Sequence, residues 1–547
     1  MNYNRPVDRT WPVSGLLCWQ GTSSLPAQTT SKENQGDIIS NSDQISSGPP
    51  AVYQLRPEKE EFGTLTRMTV GEKNVKNTNK TILLVGETGA GKSTLINALI
   101  NYSMGVKFED EVWFKIVEEE KKSQTESQTS DVIVYEIFGY EGETLPYSLT
   151  IIDTPGYGDT RGTEHDDIIS QKLLDLFKSV HKIHAVGLVM KATDNRLSDQ
   201  PMYVFDSVMS LFGKDLETNT VSLITHSNGR RPKNALEALE AGNMKCAKNE
   251  KNEPVYFLFD NCQHEDRTEE EKFLKDADEI SERGMKEFTD FLGKTAPQKL
   301  EQTVEVMNER IKLKGCIQKL QEKIKLTDLK QTDIKHTQEA LKKNEEEMKK
   351  NEEFTVEVDE VYKEKECIDG RRWWLVFYEA AVCCTVCEEN CHYPCRQFWK
   401  PELCKVMKGG HCTVCTGKCS VSDHVREKWR YETKTRKVKK TVEEMKLKYE
   451  KNKTESEGKS SLLENLVKEM KQLTAERFQL LDESYQHVIR LEQIAMKADS
   501  VSTFVHLDFL IEKMKEEGDT EKIQKLEEMR SRVDEGTRAA LQYKQQL

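Results

Sequence analysis

The stretch Thr81 to Leu99, TILLVGETGAGKSTLINAL, sets a short apolar run before a glycine-rich octet and a helix-like pattern after it. The octet Gly86-Glu87-Thr88-Gly89-Ala90-Gly91-Lys92-Ser93 fits G-x-x-x-x-G-K-[ST] at every position. Ile82 to Val85 reads as a buried strand and Leu95 to Ile100 as the opening of a helix, which is the context the octet needs. Glycines allow backbone N–H groups to converge on phosphate oxygens with no Cβ in the way, and the helix N-terminus adds partial positive charge. The loop is therefore an anion cradle, with Gly86, Glu87, Thr88, Gly89, Ala90, Gly91, Lys92, Ser93 and Thr94 as nucleotide-binding candidates. Lys92 is placed to reach the β- and γ-phosphates, and the Ser93 hydroxyl to ligate Mg²⁺.

Downstream, LTIIDTPGYGD puts Asp153 at the end of an apolar strand. There it would hold Mg²⁺ through water while the Gly156 N–H meets the γ-phosphate, so that loss of that phosphate releases the following loop. This pairing of elements selects a GTPase-type site over kinase or dinucleotide types. The segment KKSQTESQTSDVIVYEI reads as the first switch, with Thr125 completing the Mg²⁺ shell and Thr129 as second choice. The catalytic candidates are thus Lys92, Ser93, Thr125, Asp153 and Gly156, with Mg²⁺ held through Ser93, Thr125 and Asp153.

From Thr81 to about Leu292, the runs TILLV, DVIVYEI, SLTIID, IHAVGLVM, TVSLITH and PVYFLF alternate with helical patterns. That alternation predicts an α/β P-loop domain, a mostly parallel sheet with helices on both faces, over residues 74–296. The octet, DTPGYGD, DNRLSDQPMYVFDSVMSLFG and FDN together resemble the immunity-associated (AIG/IMAP-type), septin-related P-loop GTPases, a branch similar to the chloroplast-import receptor GTPases. The resemblance implies GTP/GDP with Mg²⁺, a family-marking box at Arg196 to Gly213, and domains that pair face to face across nucleotide. It also implies a base-packing role for His226 of THSN and a base contact from Asn261 of FDN. Asn228 stands where most GTPases carry an aspartate, and an amide cannot accept both guanine protons as a carboxylate does. Tyr157 stands where a glutamine would orient the attacking water, which points to slow turnover; Arg161 or Arg196 would be the arginines able to act on a paired subunit.

Residues 1–73 are rich in Ser, Thr, Gln, Gly and Pro and read as a disordered tail. Beyond the nucleotide domain, Ile317, Leu320, Ile324, Ile334 and Leu341, then Leu463, Leu466, Met470, Leu473 and Leu480, recur at heptad-like spacing. These predict helical segments at 297–352 and 441–498, either a coiled coil or helices of a bundle, with a last helical segment at 499–547. Between them, 353–440 is a separate unit: FTVEVDEVY and WRYETKTRKV can pair antiparallel and close off a cysteine-rich insert, a knob at the tip of a stalk. Cys384-x2-Cys387-x3-Cys391-His392-x2-Cys395 and Cys412-x2-Cys415-x3-Cys419, with Cys404, His411 and His424 nearby, have the spacing of one or two tetrahedral zinc sites. The expected ligands are Cys384, Cys387, Cys391, Cys395, Cys412, Cys415 and Cys419; spacing does not assign the pairs, and Cys384, Cys387, Cys412 and Cys415 are the four-thiolate set taken for testing.

The chain of 547 residues has a net charge of −13, with 32% charged residues. That balance disfavours nucleic acid and favours protein partners, reached through the helical stalk, beside self-association. No signal peptide is read, and the most apolar stretch, Trp373 to Cys384, is too short to span a bilayer, so a cytoplasmic protein is expected. The sequence thus describes a GTP-binding switch with slow hydrolysis whose pairing is coupled to a helical stalk. The alternatives are a constitutive zinc scaffold in which nucleotide is structural, or an ATP-binding P-loop protein.

Overall fold

The computed structural model describes residues 36–62, 65–118, 132–155, 163–194, 199–268, 270–343, 355–368, 380–395, 400–441 and 462–546. Its centre is an eight-stranded sheet, whose strands are numbered within the sheet in chain order: β1 (Glu58–Phe62), β2 (Leu65–Val70), β3 (Asn79–Gly86), β4 (Ile133–Ile137), β5 (Ser148–Asp153), β6 (Ala185–Lys191), β7 (Thr220–Thr225) and β8 (Tyr256–Leu258). The spatial order is β8-β7-β6-β3-β5-β4-β2-β1. β3 pairs in parallel with β5 and β6, β6 with β7, and β7 with β8, whereas β4 runs antiparallel to β5. All six strands expected from the apolar runs are present. Their continuous hydrophobicity follows from burial on both faces: Ile82 and Leu84 face one core and Leu83 and Val85 the other, each at most 1% exposed.

The tail reading of 1–73 is corrected from residue 36 onward. β1 and β2 extend the sheet beyond β4, and Ser42–Ser46 and Ala51–Leu55 form a second small sheet with Val112–Lys115. Polar edge strands such as Glu58–Phe62, EKEEF, gain order from ladder hydrogen bonds rather than from an apolar pattern, so composition conceals them.

The two long helices, Glu301–Lys343 and Leu462–Ile494, lie antiparallel. Ion pairs of Arg490 with Glu305, Lys323 with Glu476 and Lys330 with Glu469, and a hydrogen bond between His487 and Glu309, fix the register. Ile317, Leu320, Leu473 and Leu480 are buried as their spacing predicts. The side chains of Leu341, Leu463 and Leu466 lie outside the described residues. The pair is a bundle rather than an isolated coiled coil, because Leu507, Leu510, Ile511 and Met514 of helix Val501–Glu517 and Leu526 and Met529 of helix Thr520–Ser531 share its core. The last helix, Glu535–Gln546, returns to the nucleotide domain and packs on helix Asp199–Met209, with Tyr543 against Tyr203.

The antiparallel hairpin is present and longer than expected, with Thr355–Cys367 paired residue for residue to Trp429–Thr441. The cysteine-rich unit it encloses is not at the far tip of the stalk. It docks beside Gly315 to Lys323, where the Lys319 Nζ donates to the Val414 carbonyl at 2.6 Å and Asn390 Nδ2 donates to Glu322 at 2.9 Å. The lock is Glu389, buried between Lys319 and Lys323 at 3.2 and 3.4 Å and accepting from the Thr416 N–H and hydroxyl.

Candidate functional site

The octet forms the turn between β3 and helix Lys92–Ser103. Gly91 has φ 88° and Gly89 φ 77°, left-handed values that let the turn close over the helix end. At Gly86 a side chain is excluded, since a Cβ would lie 2.3 Å from the Val189 carbonyl. Lys92 is buried, and its ammonium donates to the carbonyls of Gly86 and Glu87, both at 2.9 Å. Burial pulls Lys92 down to about 8, against the opposing pull of Asp153 and Glu87. Asp153 is fully buried at the end of β5. Near the cradle the Thr88 hydroxyl is buried without a hydrogen-bond partner. A loop lined by a buried cation, a buried carboxylate and an unsatisfied hydroxyl fits a polyphosphate with Mg²⁺ on Ser93 and Asp153.

The expected base contacts come together at the ends of β7 and β8. The Thr225 hydroxyl lies 2.7 Å from the Ala90 carbonyl and 3.2 Å from that of Met190, tying the THSN loop to the octet. His226 is exposed with φ 50°, and its Nδ1 sits 3.1 Å from the Thr225 Oγ1. With that hydroxyl proton directed at a carbonyl, Nδ1 is the donor of this pair. Ser227 N–H donates to Phe259 O at 3.0 Å, which brings the FDN loop alongside. There the Asn261 amide is buried with neither its oxygen nor its nitrogen hydrogen-bonded. Asn228 differs from expectation: its Oδ1 accepts from the Arg230 N–H at 3.1 Å and is engaged in its own turn. Thr125 and Thr129, Gly156 and Tyr157, and Arg161 and Arg196 lie outside the described residues.

Residues not foreseen also line the cradle. Lys191, last in β6, has its Nζ 3.9 Å from where a Gly89 Cβ would stand, and its N–H donates to Asp194 at 2.7 Å. Burial, and then the Asp194 charge, raise Glu87, while Lys191 and Lys92 lower it. K-x-x-D at the end of an apolar run is the one signal in the sequence that could have found them.

Residues 80–283 match the model of the AIG1 family. The nucleotide domain is an AIG1 domain. Among solved structures, Toc33 from Arabidopsis thaliana in complex with Mg²⁺ and GMPPNP is similar at 16% identity, over 41% of this chain and 88% of that one, with a TM-score of 0.28. Toc33 in complex with GDP and Mg²⁺ is similar at 15% identity over 38% and 85%, with a TM-score of 0.25. No curated protein matches the chain. The segment Arg196 to Gly213, the expected family marker, contains helix Asp199–Met209, and Asp206 on that helix anchors the C-terminal helices. It accepts from the Val501 N–H at 2.8 Å and the Thr537 hydroxyl at 3.0 Å, and pairs with buried Lys497 at 3.2 Å.

The cysteine unit gathers three groups of side chains with ligand atoms within 4.8 Å of one another: Cys384, Cys387, Cys415 and Cys419; Cys391, Cys412, Cys415 and His424; and His392, Cys395 and Cys404. The four-thiolate set expected from Cys384, Cys387, Cys412 and Cys415 is therefore corrected, because Cys412 turns toward Cys391 and His424. Cys395 stands apart from the other expected ligands, with His392 and Cys404, and His411 is exposed with its Nδ1 at the Gly409 carbonyl. Spacing identifies C-x2-C pairs, but the path of the intervening strands decides which pairs meet.

Among the described residues, no helix is long and apolar enough to cross a membrane.

Proposed function

We propose that the chain is a GTP-binding switch that hydrolyses GTP slowly, with AIG1 domains that pair on nucleotide and transmit that state to the helical bundle. The observation that carries the reading is the buried Asn261 amide, unsatisfied on both its oxygen and its nitrogen, in the loop that Ser227 ties to the THSN segment, together with an octet lysine whose hydrogen bonds among the described residues go to carbonyls. A base edge satisfies the amide and a phosphate replaces the carbonyls at Lys92. His226, held by Thr225 from beneath, offers a ring face for stacking. On GTP binding, the octet N–H groups and Lys92 orient the phosphates, and Ser93, Asp153 and Thr125 would hold Mg²⁺. When bound, that ion neutralises charge on the β- and γ-oxygens. Slow turnover follows from Tyr157, whose neutral phenol replaces an amide that orients water.

Helix Thr163–Ser179, directly after the loop of Gly156, packs on the base of helix Glu301–Lys343, and the marker box holds the C-terminal helices through Asp206. These contacts support the coupling. The unit at 380–428 is read as a structural zinc module and the chain as cytoplasmic, where its thiols stay reduced. Light scattering of the full chain with GDP and with a non-hydrolysable GTP analogue tests the switch: a larger mass with the analogue is expected, and equal mass in both states returns the chain to the constitutive scaffold. Displacement of a fluorescent GTP analogue equally by ATP and GTP would move the site to ATP.

A further inference from the structure

We propose that the cysteine module holds a binuclear centre in which the Cys415 thiolate bridges two zinc-class divalent ions. The proposal rests on the reading of this unit as metal-binding and adds its architecture. Two groups of four ligands share Cys415: Cys384, Cys387 and Cys419 on one side, and Cys391, Cys412 and His424 on the other. Seven ligands are what two tetrahedra sharing one corner require. Two separate tetrahedral sites would need an eighth. The third group supplies only His392, Cys395 and Cys404 and contributes no atom to either set.

Four of the six sulfurs, those of Cys384, Cys387, Cys412 and Cys415, accept from backbone N–H groups. Cys384 Sγ accepts from the Cys387 N–H at 3.3 Å, Cys412 Sγ from the Val414 and Cys415 N–H groups at 3.3 and 3.4 Å, and Cys415 Sγ from the Cys419 N–H at 3.2 Å. Cys387 Sγ accepts from the Gly417 N–H at 3.4 Å. These donors orient four of the sulfurs and offset part of the charge that two divalent ions leave uncompensated on six thiolates. Gly417 is forced by the same crowding, since a Cβ there would lie 2.8 Å from Cys419 Sγ and 3.3 Å from Cys387 Sγ.

His424 carries the independent observation. It is 4% exposed, and its Nδ1 donates to the Ser420 carbonyl at 2.8 Å. That bond fixes the tautomer and leaves a lone pair on Nε2, which is buried without a hydrogen-bond partner beside Cys391, Cys412 and Cys415. A buried imidazole nitrogen oriented by a carbonyl on its far side is the arrangement of a metal-ligating histidine.

Full-length protein reconstituted with an NMR-active cadmium isotope tests the bridge. Two resonances from sulfur-rich sites that split one another through the shared sulfur are expected, and any ion on the His392 group gives a resonance without that splitting. Sulfur-rich resonances with no mutual splitting, or a single one, overturn the bridge while leaving the metal reading intact; protein that takes up no metal overturns both. Cys415→Ser should lose two ions per chain by elemental analysis, whereas Cys404→Ser should keep the coupled pair. Loss of one ion in Cys415→Ser, with the other retained, overturns the proposal. Where Cys415→Ser fails to fold, the splitting in the unsubstituted chain decides alone.

Discussion

Lys92 shows how a single side chain carries the demand for a ligand. Its ammonium is buried, its hydrogen bonds among the described residues go to two carbonyls of its own loop, and burial lowers it to about 8. Phosphate favours the charged form, so above about pH 8 nucleotide binding must take up a proton. Affinity is then expected to fall about tenfold per pH unit between about 8 and 10, and the proton to appear in calorimetry as a dependence on buffer ionisation enthalpy. A flat affinity over that range would remove Lys92 from the phosphates. Asn261 gives a second prediction at this scale. Replacing an unsatisfied buried amide by an apolar group of similar size relieves its desolvation penalty, so Asn261→Leu should leave the nucleotide-free protein at least as heat-stable as before. The same change should weaken GTP binding by roughly tenfold to a hundredfold, for loss of about 1–3 kcal/mol of hydrogen bonding, and ATP less. Unchanged GTP affinity would show that the amide does not touch the base. The octet and Asp153 were legible because their chemistry demands fixed residue types at fixed spacing. The engagement of Asn228 by Arg230 was not, because the direction of an amide in a turn depends on local backbone geometry that residue type alone does not dictate.

At the scale of elements, the strands of the sheet's interior were legible and its edge was not. Val186 to Met190 is buried on both faces and reads as an apolar run, whereas Glu58–Phe62 is ordered by its ladder with β2. The marker box was visible as a motif, but its use as a platform required the fold, since Asp206 meets Val501 and Thr537 across some three hundred residues of chain. Asp206 is 2% exposed and Lys497 5%, so removing the carboxylate takes one of two ion-pair partners from a buried ammonium and leaves it paired with Asp534. Asp206→Ala should destabilise the contact by about 3–5 kcal/mol, the typical cost of breaking a buried pair. Limited proteolysis should then cut between Lys497 and Val533 at protease concentrations that spare the unsubstituted chain. Equal resistance in the two proteins would mean that the C-terminal helices are held elsewhere.

Across the whole molecule, heptad spacing found both long helices but could not say what covers them. Spacing describes one face of a helix, and the partners of that face come from residues 501–529, whose own pattern is less regular. For the same reason the cysteine unit was read as a distal knob, although Glu389, Lys319 and Lys323 seat it on the helix near the nucleotide domain. Metal and docking are thereby linked, because Cys384 and Cys391 flank the segment that carries Glu389 and the backbone of Thr416 that it grips lies next to Cys415. Metal binding energy becomes folding energy for such a unit, whose buried residues are mostly the cysteines themselves. Chelation of the full chain should therefore unfold residues 380–428 and expose the helix face at Gly315 to Lys323, read as faster hydrogen exchange in both segments. The nucleotide domain's sheet is packed on both faces by cores that include no residue of the cysteine unit, so nucleotide affinity should change less than about threefold, a difference of roughly 0.6 kcal/mol. Loss of nucleotide binding on chelation would make the module part of the nucleotide domain's fold, while unchanged exchange at 380–428 would show that hydrogen bonds through Glu389 and Asn390 hold it without metal.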